Sequence, residues 1–275
     1  MLEGNKTLAV IGCGTMGEAI VRGIFRSGKL PPAQVHATDR REDLVKELAA
    51  RHGMRTSHDN LRAAQEAAAA LVCLKPQHMQ SVLDTAPMRD ALAGKAVISI
   101  AAGVRLAQLQ AWLPRSQVIR AMPNTPAIIG EGMTVIARGN GVSNDQITLA
   151  QEIFNAVGRC TELDEANMDV ITALNGSGPA FAYLVLEALA DGAVMMGLRR
   201  DVAFTVAAQM LQGSARMVLE TGLHPAALKD QVTTPAGCTI AGLLTLEDGR
   251  IRSVLARAVQ EAARVAGELG QSKSS

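Results

Sequence analysis

The first 162 residues alternate short apolar runs with segments of helical periodicity, and this alternation constrains the fold more than any other feature of the chain. The runs are almost continuously hydrophobic, which is typical of strands buried on both faces of a parallel sheet. Helix-length segments such as 15–27 and 42–52 lie between them and indicate right-handed βαβ crossovers. The sequence therefore predicts an α/β domain with a Rossmann-type doubly wound sheet, whose strands we place at 7–11, 34–38, 69–74, 96–100, 117–121 and 133–137.

The strand pattern stops after residue 163, and the rest of the chain reads as long helices at 165–174, 180–196, 202–220 and 251–269. The segment 180–196 is apolar almost all round, with only Glu187 and Asp191 as charged residues. Such a helix is normally buried on every side. We therefore predict domains at 1–162, for dinucleotide binding, and at 163–275, for substrate binding and homodimer formation. The polar tail 271–275 is expected to be frayed.

The charge balance argues against nucleic acid as a partner. The chain of 275 residues has 27 Lys and Arg against 26 Asp and Glu, and only one Trp, one Tyr and four Phe. Phosphate recognition needs a basic face, and single-strand recognition needs aromatic platforms. The longest unbroken apolar run, 67–74, is too short for a membrane span, so neither a membrane segment nor a secretion signal is predicted and a cytoplasmic location is expected.

The cysteines and histidines show no metal-binding spacing. The four cysteines are widely separated without a CxxC pair, and the five histidines form no HxxxH or HExxH pattern. We predict four free thiols and no metal.

A glycine motif at 12–17 follows the first predicted strand and opens a predicted helix, which is the context in which GxGxxG binds a dinucleotide. Gly12 permits the tight turn, Gly14 lets the backbone approach a pyrophosphate, and Gly17 lets helix and strand pack closely. The amides at the helix start would face the phosphate charge. We interpret Cys13 as a small filler of this turn.

The choice between NAD and NADP stays open at the end of the second strand. Asp39 lies 22 residues after Gly17, where a carboxylate takes the adenosine ribose hydroxyls of NAD. Arg40 and Arg41 follow at once and offer charge-assisted bonds to the 2′-phosphate of NADP, although a solvated helix start explains them equally well.

Three further loops follow predicted strands at the edge where ligands bind in open α/β sheets. One contains Lys75, which is either a phosphate or ribose ligand or a plain surface lysine. The small residues at 100–103 leave room for a flat nicotinamide, and the prolines of 122–126 stiffen a loop expected to line the same cleft.

A loop of small residues at 233–239 runs into an apolar helix and offers free amides to an anion. We interpret it as a carboxylate pocket, with a plain helix connection as the alternative. The loop 175–179 has the same character. The helical part lacks an obvious proton donor, because Lys229 lies in a polar stretch and Tyr183 inside the apolar helix. That absence favours an imine substrate, which water can protonate before hydride arrives.

These motifs together resemble the pyrroline-5-carboxylate reductases along essentially the whole chain. The most specific block lies near the end of the chain, since the glycine motif alone is widely shared. The residues that carry the resemblance are Gly12 to Gly17, Lys75-Pro76-Gln77, Ala101 to Val104, Arg120 to Pro126, Gly176 to Ala180, His224-Pro225, Leu228 to Asp230, Val232 to Pro235 and Gly237-Cys238-Thr239.

The resemblance implies reduction of L-Δ1-pyrroline-5-carboxylate to L-proline with NADPH preferred over NADH, in an intertwined homodimer and a ring of five such dimers. Thr239 would approach the ring nitrogen as the catalytic residue, and the carboxylate would bind at Thr234, Gly237, Cys238 and Thr239. Taken with the glycine motif and the second strand, the implied cofactor residues are Ile11, Gly12, Cys13, Gly14, Thr15, Met16, Gly17, Asp39, Arg40, Asn60, Cys73, Leu74, Lys75, Pro76, Ile100, Ala101 and Ala102.

The chain departs from the family pattern at Ala236, which stands where a glycine is usual and reduces backbone freedom. Two other functions remain open. The fold also suits a reductase of another cyclic imine or of β-hydroxyacids, and it suits a non-catalytic dimer that senses NADP(H).

Overall fold

The computed structural model describes residues 2, 4 and 6–269, so the tail 271–275 lies outside the described residues. The chain forms two compact units. One comprises the residues up to Ser177 and those from Glu261 onward, and the other comprises Gly178–Gln260. The helical residues 163–177 belong to the same compact unit as the sheet. The division into domains at residue 162 stays a prediction.

The first unit contains one eight-stranded sheet in the order β3-β2-β1-β4-β5-β6-β7-β8. All neighbours pair parallel except β6 and β7, which pair antiparallel with Met122 opposite Val135. A parallel crossover needs a dozen or more residues, and the connection 123–131 is shorter. The predicted doubly wound, largely parallel sheet is confirmed, and the single antiparallel pair was not predicted. The strands are β1 Thr7–Ile11, β2 Val35–Thr38, β3 Arg55–Ser57, β4 Ala67–Val72, β5 Ala96–Ser99, β6 Gln117–Met122, β7 Gly132–Arg138 and β8 Gly158–Glu162.

The two strands that the sequence analysis missed lie at the two edges of the sheet. β3 has three residues, and β8 reads Gly-Arg-Cys-Thr-Glu. Edge strands are short and partly solvated, so they carry no continuous apolar run. The central strand β1 shows the contrast. Leu8 and Val10 enter the core on one face of the sheet, while Ala9 and Ile11 enter the core on the other.

The predicted helices are present with small shifts at their ends, except for the segment 165–174. A capping box begins the seventh helix: Gln146 N–H donates to Ser143 Oγ at 3.3 Å, and Ser143 N–H donates to Gln146 Oε1 at 2.9 Å. The helices are α1 Thr15–Arg26, α2 Glu42–His52, α3 Asn60–Glu66, α4 Pro76–Leu83, α5 Ala86–Ala91, α6 Leu106–Trp112, α7 Asn144–Asn155, α8 Met168–Ile171, α9 Gly178–Met195, α10 Arg200–Thr221, α11 Pro225–Gln231, α12 Cys238–Asp248 and α13 Ile251–Leu269.

The predicted helix 165–174 is not a regular α-helix. It divides into a 3-10 turn, α8 and a π-helical turn, Thr172–Ser177. Asn175 in the π turn donates to the carbonyls of Met122 and Met133, both at 2.9 Å, and accepts from Asn124 Nδ2 at 2.9 Å. These bonds tie the π turn to the end of β6 and the start of β7.

A buried arginine joins the sheet to this same helical segment. Arg120 on β6 has a side chain that is 3% exposed, and its guanidinium lies 3.2 Å from Glu165 and 3.6 Å from Asp169. Glu165 also accepts from the backbone N–H of Leu106 at 2.6 Å. A desolvated arginine is stable only when it is paired in this way. Arg120 therefore anchors α8 to the sheet.

The apolar helix α9 is largely uncovered within a single chain. Tyr183, Leu184 and Met195 are 62%, 66% and 86% exposed, and Ala190 is the buried residue of the helix. Within the described residues, the helical stretch Glu165–Met195 is also long and apolar enough to span a membrane by length and composition. A count of unbroken apolar runs predicted no such stretch. An apolar helix of this kind equally suits the buried interior of an assembly.

We expect Gly158→Ala to destabilise the first unit strongly. Gly158 has φ +150°, and a Cβ there would lie 1.8 Å from the carbonyl oxygen of Gly132. Strain and overpacking together should cost about 3 kcal/mol of unfolding free energy or more. Thermal unfolding of the purified variant measures this loss.

Gly141→Ala is the matched control. Gly141 has φ +74° but nothing within 4 Å of its missing Cβ, so only the backbone cost of about 1 kcal/mol remains. Equal losses in the two variants would contradict the packing argument.

Candidate cofactor cleft and substrate loop

A cleft of about 630 Å³ opens in the first unit where β1, β2 and β4 end. This is the edge at which open α/β sheets bind their ligands. The loops after the three strands supply most of its lining, and α4 closes one side. The lining residues are Gly12, Gly14, Thr15, Met16, Gly17, Asp39, Arg40, Arg41, Asn60, Cys73, Leu74, Lys75, His78, Ser81 and Val82.

The glycine turn has the geometry that its sequence predicts. Gly12 has φ +83°, and a Cβ there would lie 2.7 Å from Leu74 Cδ2. A Cβ on Gly17 would lie 3.1 Å from the carbonyl oxygen of Gly12, so α1 packs tightly on the turn. A Cβ on Gly14 would meet nothing nearer than 3.8 Å and would occupy the cleft itself. The turn thus leaves backbone exposed where a phosphate group approaches.

The first turn of α1 supplies donors for that group. Thr15, Met16 and Gly17 line the cleft, and the first amides of an α-helix have no partner within the helix. Free N–H groups and the positive end of the helix dipole favour an anion there. The residues present therefore fit the pyrophosphate of a dinucleotide.

Asn60 is oriented by a buried threonine. Thr38 is 1% exposed, and its hydroxyl donates to Asn60 Oδ1 at 2.6 Å. The amide nitrogen of Asn60 makes no hydrogen bond within the described part of the chain, and Asn60 lines the cleft. This arrangement leaves an NH₂ group for a ligand oxygen. The spacing of residues in the sequence gave no signal for Asn60, and only the family resemblance implied it.

The two arginines after β2 differ in whether they pair with Asp39. Asp39 Oδ1 accepts from both the backbone N–H and Nε of Arg41, each at 3.1 Å, and its side chain is 11% exposed. The hydrogen bond and the charge of Asp39 raise the pKa of Arg41 above its usual value. Arg40 makes no side-chain hydrogen bond or ion pair with the described residues, and it lines the cleft. A guanidinium is thus available to a phosphate group.

Several residues implied by the resemblance do not line this cleft. Ile11 and Cys13 are fully buried, and Pro76 is the first residue of α4. The segment 100–102 follows β5 at the same sheet edge. In this structure these residues shape the cleft from behind or lie beyond it. Those that do not line it are Ile11, Cys13, Pro76, Ile100, Ala101 and Ala102.

The two thiols beside the glycine turn are held in their neutral form. Burial, together with the charges of Glu18 and Asp39, raises the pKa of Cys13 to about 12. Burial also raises the pKa of Cys73 well above its usual range. Since neither group is a thiolate near neutral pH, Cys13 suits its interpretation as a filler of the turn.

Sequence reasoning missed the face that α4 presents to the cleft. His78, Ser81 and Val82 line it, and their spacing of three and four residues places them on one side of the helix. That periodicity was available in the sequence.

The loop at 233–239 lies in the second unit and ends in a tight turn. Gly237 N–H donates to the carbonyl of Thr234 at 3.1 Å, and Thr233 Oγ1 donates to the carbonyl of Lys229 at 2.8 Å. Gly237 is the N-cap of α12. A Cβ on it would lie 2.4 Å from Thr234 Oγ1, so this hydroxyl lies against the start of the helix. The amides of Cys238 and Thr239 begin α12 without helical partners and can accept an anion.

We expect Arg40→Ala to weaken NADPH binding selectively. Arg40 has no ion-pair partner among the described residues, and one charge-assisted contact to a 2′-phosphate is worth roughly tenfold in Kd. The Kd for NADH, which lacks that phosphate, should change less than about twofold. Fluorescence titration of both nucleotides measures the ratio.

Lys46→Ala is the control for loss of positive charge alone. Lys46 pairs with Glu42 at 2.8 Å on the exposed side of α2. It should leave both constants unchanged. Equal weakening of NADPH and NADH by Arg40→Ala would exclude a role in phosphate recognition.

Two family descriptions match the chain. "NADP oxidoreductase coenzyme F420-dependent" matches residues 7–103, which include the glycine turn and β1 to β5. "Pyrroline-5-carboxylate reductase dimerisation" matches residues 165–269, which include the uncovered helix α9. The first places the chain among NAD(P)H-dependent oxidoreductases, and the second supports the predicted homodimer.

Individual relatives extend the similarity over the whole chain. Pyrroline-5-carboxylate reductase of Methanosarcina acetivorans is 42% identical over 97% of this chain and 99% of its own length. The solved structure of a pyrroline-5-carboxylate reductase from Coxiella burnetii has a TM-score of 0.91 at 33% identity, covering 98% of this chain and 100% of that chain. The Plasmodium falciparum pyrroline carboxylate reductase, solved with NADP bound, has a TM-score of 0.87 at 28% identity, covering 97% and 99%. From this near-complete similarity, the chain belongs to the pyrroline-5-carboxylate reductase family.

Proposed function

We propose that this protein reduces L-Δ1-pyrroline-5-carboxylate to L-proline, with NADPH as the preferred reductant, as the last step of proline biosynthesis. The observation that carries the proposal is its 42% identity to a pyrroline-5-carboxylate reductase over nearly the full length of both chains. The dinucleotide cleft and the anion-accepting loop supply the two binding functions that this reaction needs.

The first unit would hold the cofactor, which supplies a hydride when bound. Gly12, Gly14 and the first amides of α1 would bind the pyrophosphate. Asn60 would contact the adenosine ribose, and Arg40 the 2′-phosphate, while Asp39 stays paired with Arg41. Leu74, Lys75 and the residues 100–102 would complete the cofactor site.

The second unit would hold the substrate. The amides of Cys238 and Thr239 and the hydroxyl of Thr234 would bind the carboxylate, with Gly237 leaving room for that hydroxyl. The hydroxyl of Thr239 would hydrogen-bond the ring nitrogen. The substrate reacts as its iminium, protonated by water. A hydride adds to C5, the C=N π electrons move to nitrogen, and the neutral amine of L-proline results.

Placement of the reactants would supply most of the rate acceleration. Holding two reactants at near-attack distance contributes roughly 7 to 11 kcal/mol of the barrier. Lys229 is paired with Asp230, and Tyr183 is 62% exposed on α9 in the single chain. Neither is needed as a proton donor if the substrate arrives protonated. Catalysis without a strong acid is therefore consistent with the residues present.

A single assay separates this proposal from its alternatives. Purified protein with NADPH and pyrroline-5-carboxylate should lose absorbance of the reduced cofactor and form L-proline. Parallel reactions use piperideine-2-carboxylate with NADPH and 3-hydroxyisobutyrate with NADP⁺. Preference for either of these would indicate another reductase of this fold. Binding of NADPH without turnover of any compound would indicate a sensor and overturn the proposal.

Thr239→Val should lower kcat/KM by roughly 10- to 100-fold, less than removal of a general acid typically costs. The substitution keeps the shape of the side chain but removes the hydrogen bond to nitrogen. Steady-state kinetics with varied pyrroline-5-carboxylate measures the effect.

Thr245→Val on the same helix is the control, since its hydroxyl donates to the carbonyl of Ala241 at 3.2 Å. It should leave kcat/KM unchanged. An unchanged value for Thr239→Val as well would remove Thr239 from the mechanism.

We further propose a ring of five homodimers in the cytoplasm. All four cysteines are free thiols, which suits a reducing compartment. With a chain of 28.9 kDa, light scattering should give about 289 kDa for the ring and about 58 kDa for an isolated dimer. A stable mass near 29 kDa would contradict both.

Leu184→Glu on α9 should lower the mass, because it places a charge on the uncovered apolar helix. Ile129→Glu is the control. Ile129 is 70% exposed but lies outside the dimerisation match, so the mass should not change.

A further inference from the structure

Two non-glycine residues have a left-handed backbone in the described part of the chain: Ala236 with φ +57° and Arg250 with φ +56°. Left-handed backbone is unfavourable for a residue with a Cβ, and strained positions persist where function or surroundings require them. Arg250 lies in the connection between α12 and α13. Ala236 lies in the loop that the proposed function assigns to the substrate carboxylate.

Ala236 is the third residue of a tight turn formed by Thr234, Pro235, Ala236 and Gly237. The turn is closed by the hydrogen bond from Gly237 N–H to the carbonyl of Thr234 at 3.1 Å. Proline in the second position and a positive φ in the third define a type II turn, which favours glycine in that third position. Alanine therefore occupies the position least suited to it.

The strained conformation assembles the donors for the anion. In this conformation Thr234 Oγ1 packs against Gly237, where a Cβ on that glycine would lie only 2.4 Å from it. The hydroxyl is therefore next to the free amides that begin α12. If residue 236 relaxed to negative φ, the turn would open and the hydroxyl would leave those amides. Thr234, Pro235 and Ala236 are exposed, and among the described residues the turn is held by the single hydrogen bond that closes it. Relaxed conformations thus compete with the binding conformation.

We infer that Ala236 sets the affinity of this loop for the carboxylate of substrate and product. Part of the binding free energy is used to hold residue 236 left-handed, so both ligands bind more weakly than the same donors would otherwise allow. L-proline is then released more readily. Ala236 is a positioning residue, since it acts through the conformation of Thr234 and Gly237, and the inference rests on the proposed function.

Ala236→Gly tests this inference. Glycine removes the strain but also adds backbone freedom, so the net gain in affinity should be about two- to fivefold. KM for pyrroline-5-carboxylate and the Kd for L-proline, measured by calorimetry with NADP⁺ present, should fall by the same factor. KM for NADPH should not change. Ala236→Val, with a branched Cβ in the same conformation, should raise both constants.

Arg250→Gly is the matched control, because it relieves the same kind of strain away from the loop. Arg250→Gly should raise the Tm and leave both ligand constants unchanged, whereas Ala236→Gly should change both constants with little change in the Tm of the unliganded protein. Unchanged constants with a raised Tm would show that the fold already holds the loop and would overturn the inference. Weaker binding by Ala236→Gly would overturn it as well.

Assays of the unaltered protein distinguish failure of this inference from failure of the proposed function. Turnover of pyrroline-5-carboxylate by the unaltered protein, with no change in Ala236→Gly, would remove the inference alone. Absence of that turnover and of L-proline binding would overturn both.

Discussion

The close approach of three backbone segments at the end of β1 is the contact on which the cofactor cleft depends. The amides of Gly12 and Cys13 both donate to the carbonyl of Thr38, at 2.9 and 2.8 Å, and the amide of Cys73 donates to the carbonyl of Ile11 at 2.8 Å. A side chain at position 12 would collide with Leu74. Because these bonds hold the ends of three strands together, the loops that follow are brought to one place, and α1 begins with its free amides at the cleft.

Within that frame, buried or paired polar groups determine what the exposed ones can do. The hydroxyl of Thr38 donates to the side-chain oxygen of Asn60, which leaves the amide nitrogen of Asn60 as the group that can donate to a ligand. Arg41 donates a hydrogen bond to the carboxylate of Asp39, and Arg40 has no partner among the described residues. The same principle holds in the second unit, where a strained Ala236 keeps the hydroxyl of Thr234 over the start of α12. In each case one residue positions another that meets the ligand.

Much of the fold was predictable because buried strands and amphipathic helices leave periodic signals. The bounds of β1 and α2 agree with the prediction. β3 and β8 left no such signal, because polar edge strands are held by pairing with a neighbour rather than by burial. The antiparallel pairing of β7 with β6 follows from the short connection between them. The π turn is held by the hydrogen bonds of Asn175 to the carbonyls of two strands. These are tertiary contacts, and local pattern does not encode them.

The sequence by itself determined which loops we propose for a dinucleotide and an anion, because glycines, small residues and helix starts act through backbone that lies next to them in the chain. It also determined that α9 needs a cover that one chain lacks. Only the tertiary structure decided that Arg41 rather than Arg40 pairs with Asp39, that Thr38 orients Asn60, and that Ala236 is strained. Those outcomes depend on which distant groups compete for the same hydrogen bond or the same volume, and such competition exists only once the chain is folded.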